Sequence, residues 1–210
     1  MNDPLEHNLI WEVFLPLKNF SAAKSRLAIT PAELRVSLIK AMASDVIEVL
    51  LQIPNICSIK VVGVDHSQIT EVKDSRLSSI PFLEPNDINS DIAQAIDNVD
   101  RYAVLLPDLP SLKAQEVIRA FELASHYERS FIADKSGVGS TAFFSTVGKV
   151  STFFGHNSAE AHRGAGAIEL KDSLFAGIKA DCDVWSDLLA ISSQDLGSAT
   201  RALMEQHLQN

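Results

Sequence analysis

The sequence predicts one α/β domain with a mostly parallel central sheet flanked by helices. Short apolar runs at residues 10–15, 56–64 and 102–106 alternate with stretches of helical periodicity, and the links between them are short. Such alternation builds right-handed βαβ units. The third run is apolar throughout, as suits a strand buried on both faces, and it leads into Pro107-Asp108-Leu109-Pro110. Proline cannot donate to a sheet ladder, so the two prolines mark where the chain leaves the strand. Asp108 is thereby placed at the carboxyl end of a central strand, where open α/β sheets bind their ligands.

Composition narrows the class. With 46% hydrophobic and 21% charged residues, the chain of 210 residues is ordinary globular material, long enough to bury a sizeable core. No apolar run approaches the ~20 residues of a membrane span, and residues 1–6 lack the basic-then-apolar order of a signal peptide. The expectation is a cytoplasmic protein with no membrane partner. Cys57 and Cys182 show no paired spacing, which predicts reduced thiols and no structural zinc. A net charge of −9 argues against nucleic acid as a partner, so an anionic ligand needs a local basic pocket.

Residues 1–9 read as a polar arm and 10–210 as the domain. Pro16 stops the first strand. The loop that follows carries Lys18, Lys24 and Arg26 and no acid, with small residues at Ser21, Ala22, Ala23 and Ser25. Such a loop is suited to hold phosphate through its cations and backbone N–H groups, although the glycine pattern of a P-loop is absent. A solvated basic loop is the alternative. Thr30-Pro31-Ala32-Glu33 forms a capping box, and Leu34, Leu38, Met42, Val46 and Val49 give the next helix one apolar face. Residues 68–74 read as a short helix, 80–83 as an edge strand and 84–89 as a polar turn. A weak helix at 90–99, a helix at 111–126 and a strand ending at Ala133-Asp134 complete the regular part.

Residues 134–170 are irregular. Asp134 to Thr141 offer two glycines and several free amides, and Ala142-Phe143-Phe144 is a short strand. Asn157 with Glu160 predicts a helix start, whose amino end favours a carboxylate or phosphate beside Gly155 and Ser158. Ser158 and His162 share a face of that helix, with His162 read as exposed. A strand is expected at 167–170. Asp181 and Asp183 point the same way if their segment is extended, one capping the next helix and the other facing a site. Residues 195–209 read as a closing helix.

Together these segments carry a resemblance. Leu15-Pro16-Leu17-Lys18, Ala22-Ala23-Lys24-Ser25-Arg26-Leu27, Arg35, Ala41-Met42-Ala43 and Asp45 resemble the amino-terminal part of the coenzyme F420 guanylyltransferases. The likeness continues through Leu106-Pro107-Asp108-Leu109-Pro110, Gly137-Val138-Gly139-Ser140-Thr141, Phe154-Gly155…Ser158…His162 and Asp181-Cys182-Asp183. It implies a Rossmann-like nucleotidyltransferase domain that joins GTP to 2-phospho-L-lactate, phosphoenolpyruvate or 3-phospho-D-glycerate, with Mg2+ held by aspartates. It assigns catalysis to Lys24, Asp108 and Asp183, the metal to Asp108 with Asp183 or Asp181, and the nucleotide to Pro16, Leu17, Lys18, Lys24, Ser25, Arg26, Asn89 and Pro107. The phospho-carboxylic acid falls to Ser140, Thr141, Gly155, Ser158 and His162. Asp87-Ile88-Asn89 replaces the family's usual Gly-Leu-Asn, placing an extra carboxylate near the nucleoside. A homodimer is compatible with these features. Two other readings stay open: a nucleotidyltransferase of this fold acting on a sugar phosphate or molybdopterin, and a non-catalytic nucleotide-binding homologue.

The chemistry fits such residues. An acceptor phosphate is largely a dianion at pH 7, since its second pKa is about 6, so it attacks without a general base. Catalysis is then positioning and charge neutralisation. At the acceptor end, the backbone at Gly155 is expected to matter more than the Ser158 hydroxyl.

Overall fold

The computed structural model describes residues 10–17, 32–81 and 87–208. The elements are β1 (Trp11–Pro16), α1 (Ala32–Leu51), β2 (Ile56–Gly63), β3 (Leu77–Pro81), α2 (Ile88–Ala95), β4 (Tyr102–Leu105), α3 (Ala114–Ala124), β5 (Arg129–Ala133), β6 (Ser140–Ser145), α4 (Ser158–Gly164), β7 (Ile168–Glu169), α5 (Trp185–Ala190) and α6 (Ser198–Leu208). All seven strands join one sheet in the order β3-β2-β1-β4-β6-β5-β7. Neighbours run parallel except at β6, which is antiparallel to both β4 and β5. The mostly parallel sheet flanked by helices is therefore present.

The central strands are apolar on both faces because both faces are covered. Trp11, Val13 and Leu15 of β1 face the layer of α1, α3 and α6, while Phe14 faces the layer of α2 and α4. In β4, Ala103 and Leu105 join the first layer, and Tyr102 and Val104 the second. Trp11 stacks on Phe121 of α3 with ring centroids 4.7 Å apart and meets the edge of Phe144 at 6.0 Å. The apolar face read on α1 is the buried one, with Leu38, Met42 and Val46 fully inaccessible.

Asp45 stands in α1 yet is buried, and its carboxylate accepts the N–H groups of Ala199 at 2.8 Å and Thr200 at 3.0 Å. It thus satisfies two of the amides that the start of α6 leaves unpaired. Asp45→Ala is expected to lower stability by about 2 kcal/mol, seen as a lower urea midpoint at unchanged slope.

Local expectations change in a few places. Residues 68–74 are not a helix; a single 3-10 turn at His66–Gln68 is capped by Asp65, whose Oδ1 accepts Ser67 N at 2.9 Å. Beyond it, Thr70 and Asp74 take the N–H groups of Val72 and Arg76, and such local bonds compete with a helix. Helix α2 starts at Ile88, because Asp87 caps it by accepting Asn89 N and the Ser90 hydroxyl. The predicted arm 1–9, the basic loop and the Thr30-Pro31 cap lie outside the described residues.

Candidate active site

A cavity of about 410 Å³ opens where β4 ends and β6 begins, lined by Leu106, Asp108, Ser140, Gly155, Ser158, Asp181 and Asp183 among others. Asp108 enters it because Leu106 N–H still donates to Thr141 O at 2.9 Å, after which the buried Pro107 turns the chain outward. The Asp108 carbonyl then accepts Cys182 N at 3.0 Å. That bond docks the 177–183 strap onto the exit of β4.

The strap is anchored at its other end by Glu116 of α3. This buried carboxylate accepts Gly177 N at 3.0 Å and Ile178 N at 2.5 Å. Burial raises its pKa, and the two amide bonds oppose the rise. Nothing but glycine fits at 177, since a Cβ there would lie 2.2 Å from the Ser111 carbonyl oxygen. Asp181 and Asp183 are carried by this strap into the cavity that holds Asp108. The spacing suggested that one of them caps the next helix, whose N-cap position is Val184; a carboxylate inside the helix satisfies the amides there. Asp187 performs that task, its Oδ2 accepting Asp183 N and Val184 N, both at 2.9 Å.

On the acceptor side, Asp134 gathers the 134–139 turn by accepting Val138 N at 3.1 Å, Gly139 N at 2.9 Å and the Ser136 hydroxyl at 2.8 Å. The expected Asn157–Glu160 cap does not form: Asn157 is left-handed at φ 54° and its side chain caps nothing. Instead, the Ser158 Oγ accepts Ser140 N at 2.7 Å and the Ser140 hydroxyl at 2.9 Å. The Ser140 amide is thus already engaged, and Ser158 N donates to Gly155 O at 3.3 Å. The hydroxyl of Ser158 therefore does more than the sequence suggested.

His162 is not exposed, and it does not line the cavity. It is fully buried among Phe131, Phe143, Phe153 and Phe154, with its ring 4.9 Å from that of Phe143. Its Nδ1 lies 3.0 Å from the Ser140 Oγ, and its Nε2 accepts Phe153 N at 2.9 Å. The error has a simple source: Phe131, Phe143 and the 153–154 pair, distant in sequence, close over one helical turn. Thr141 is also fully buried. Its place in the site is structural, through the carbonyl that holds Leu106.

The nucleotide-side assignments divide. Leu17 is a core residue, 4% exposed, whose N–H donates to Val62 O at 2.8 Å, and Pro16 is buried as the last residue of β1. Asn89 is committed to the 152–154 segment: its Nδ2 donates to Phe154 O at 2.9 Å, and its Oδ1 accepts Phe154 N at 2.8 Å and Thr152 Oγ1 at 3.0 Å. It holds the irregular segment leading to Gly155, a role that residue type alone did not reveal. Lys18, Lys24, Ser25 and Arg26 lie outside the described residues. Glu116 and Asp134 were missed as organisers, since a helical glutamate and a turn aspartate carry no distinguishing signal.

Burial drives the His162 imidazole down to about 4, from an ordinary value of 6.5. The folded state therefore disfavours the proton that the unfolded chain accepts below about pH 6.5. Its contribution is fully present above that pH and is lost as pH falls toward 4, by about 3 kcal/mol in all. His162→Gln is expected to flatten this part of the stability profile, as read by urea midpoints between pH 7 and 4.

A mostly parallel sheet with Asp108 at the exit of its central strand, and Asp181 and Asp183 brought beside it by the strap, is the architecture of an α/β nucleotidyltransferase-like domain. A protein described as a nucleotide-diphospho-sugar transferase from Desulfovibrio desulfuricans shares the fold at a TM-score of 0.66 and 16% identity, over 94% of this chain and 95% of that one. A cytidylyltransferase from Leptospira borgpetersenii does so at 0.54 and 12% identity, covering 96% and 94%. The family description "Guanylyl transferase CofC like" matches residues 11–204. The chain belongs to that family and is a guanylyltransferase. It is 31% identical over 204 residues to the phosphoenolpyruvate guanylyltransferase of Mycolicibacterium paratuberculosis, covering 93% of this chain and 92% of the relative. For the enzyme of that name from Mycolicibacterium gilvum the identity is 32% over 197 residues, with 89% and 91% covered. Among the described residues no helix is long and apolar enough to cross a membrane.

Proposed function

We propose that this enzyme joins GTP to a small phosphorylated carboxylic acid, with phosphoenolpyruvate the first choice, as a cytoplasmic step of coenzyme F420 biosynthesis. The observation that carries it is the single cavity in which Asp108, Asp181 and Asp183 meet Ser140, Gly155 and Ser158. The relatives named phosphoenolpyruvate guanylyltransferases support the choice of acid.

In this reading an oxygen of the acceptor's phosphate attacks the α-phosphorus of GTP, and the bond to the departing pyrophosphate breaks. The nucleophile is already anionic, so no side chain needs to remove a proton. The enzyme's task is to bring two anions together in a fixed geometry. The donor set suits a hard divalent cation such as Mg2+: Asp108, Asp181 and Asp183 bring three carboxylates to the cavity, and His156 is the one imidazole among the described residues that line it. Among the described residues no three side chains form a preformed metal cluster. One or two carboxylates completed by phosphate oxygens and water therefore describe the site best. Held by these carboxylates, such an ion would supply positive charge that offsets the repulsion between the two anionic substrates. Lys18, Lys24, Ser25 and Arg26 hold the triphosphate in this assignment.

Gly155 serves the acceptor through its shape. It sits at φ +132°, where L side chains are rare, and a Cβ there would meet no protein atom within 4 Å. A larger side chain would take space from the ligand and strain the backbone. Gly155→Val is expected to raise the acceptor KM at least about tenfold, or to remove activity, while calorimetry finds GTP binding kept. Equal loss of both ligands would show that the segment is only structural.

The function itself is tested by pyrophosphate release with GTP, ATP and CTP, each against phosphoenolpyruvate, 2-phospho-L-lactate, 3-phospho-D-glycerate and a sugar phosphate. Release that requires GTP, a divalent cation and one of the phospho-acids supports the reading. Release with the sugar phosphate alone overturns it.

A further inference from the structure

We propose that His162 is a positioning residue for the acceptor: through Ser140 it fixes the Ser158 hydroxyl as a hydrogen-bond donor to the anion in the cavity. The proposal rests on the reading above that this cavity takes the phospho-acid.

The direction of the chain follows from donor and acceptor chemistry. Phe153 N–H can only donate, and it points at His162 Nε2 from 2.9 Å. That nitrogen must carry a lone pair. Deep burial keeps the ring neutral, and a neutral imidazole holds one proton, which therefore sits on Nδ1. Nδ1–H faces the Ser140 Oγ at 3.0 Å and donates to it. The Ser140 hydroxyl proton is then turned to the Ser158 Oγ, 2.9 Å away. Ser158 also receives Ser140 N–H at 2.7 Å, so both of its acceptor positions are filled. What remains is its own O–H, and Ser158 lines the cavity.

The consequence is a hydroxyl without freedom to accept. A serine left to itself donates or accepts as its neighbours require. Here four groups in series, Phe153 N–H, imidazole, Ser140 and Ser158, leave it one role. An anionic ligand is matched by a donor set before it arrives, with no reorientation on binding. A ligand offering its own O–H or N–H at that point would meet a second donor and be refused. The same imidazole ties down Phe153, two residues before Gly155, so one side chain orders both the hydroxyl and the backbone of the acceptor end.

The test separates the two arms of the ring. His162→Gln keeps an acceptor near Phe153 N–H and loses the donor to Ser140. His162→Asn keeps an amide donor near Ser140 and loses the tie to Phe153. Expected is a phosphoenolpyruvate KM raised about tenfold in His162→Gln, the size of one hydrogen bond, with the GTP KM unchanged and the effect largely reversed in His162→Asn. Should His162→Gln not fold, Ser140→Ala removes the middle of the chain at little cost in volume and is expected to raise the same KM alone. Nitrogen-15 spectra of the wild-type imidazoles read the tautomer without any turnover. A His162 protonated on Nδ1 is expected; one protonated on Nε2 overturns the proposal even if the wild type turns over phosphoenolpyruvate. Equal rises in both KM values, or an unchanged phosphoenolpyruvate KM in Ser140→Ala, overturn it as well. A wild type inert toward every phospho-acid would sink the acceptor assignment, and the tautomer would still decide the hydrogen-bond chain.

Discussion

Asp108→Asn is expected to lower guanylyl transfer on the order of 10³-fold while the melting temperature stays within a few degrees. The substitution preserves shape and removes charge. Its main-chain carbonyl keeps the bond from Cys182 N, so the strap remains docked. The side chain is only partly buried, and its loss opens no core cavity. In the function proposed above, what disappears is a negative oxygen beside the two anionic substrates, and with it one ligand for a divalent cation. The check is the rate of pyrophosphate release as Mg2+ is titrated, together with a thermal scan. A folded variant with normal turnover at ordinary Mg2+ would remove Asp108 from the chemistry.

The second large effect is expected far from the reacting atoms. Glu116→Ala leaves the buried N–H groups of Gly177 and Ile178 without their acceptor. Two orphaned donors cost about 3 kcal/mol, or roughly 10 °C in a chain of this size. Because the same strap carries Asp181 and Asp183, activity should fall even at temperatures where the variant is folded. Glu116→Gln keeps one acceptor oxygen and should recover part of both losses. Hydrogen exchange at Gly177 and Ile178 gives the direct reading. Unchanged protection there in Glu116→Ala would show that the bond from Cys182 N to Asp108 O holds the strap without help.

Much of the fold was legible because strands and helices follow local rules. The uniformly apolar 102–106 run, its closing prolines and the stripe Leu38, Met42, Val46 each state their burial in residues a few positions apart. The antiparallel course of β6 was not legible, since a short run such as Ala142-Phe143-Phe144 does not encode its direction. At the site, Asp108, Asp181, Asp183, Gly155 and Ser158 line one cavity; the strand-end prolines pointed to Asp108, and the family resemblance grouped the others with it. The failures share a cause. His162, Asn89 and Glu116 act through partners 9 to 65 residues away, so their roles become visible only when the chain is closed. Thr70 and Asp74 failed differently, because their side chains satisfy the backbone locally and undo a helix that composition alone allows.

The reversed course of β6 has an evolutionary consequence. In a wholly parallel sheet every loop at the ligand end follows a strand, and each also leads into a helix that must repack if the loop changes. Here β6 brings its beginning to that end, so a hairpin turn supplies the wall instead. A hairpin turn can lengthen, shorten or change residue without moving a helix. Together with the 153–158 segment it forms a stretch of cavity wall that can change without repacking the helices, while Asp108 stays fixed at the exit of β4.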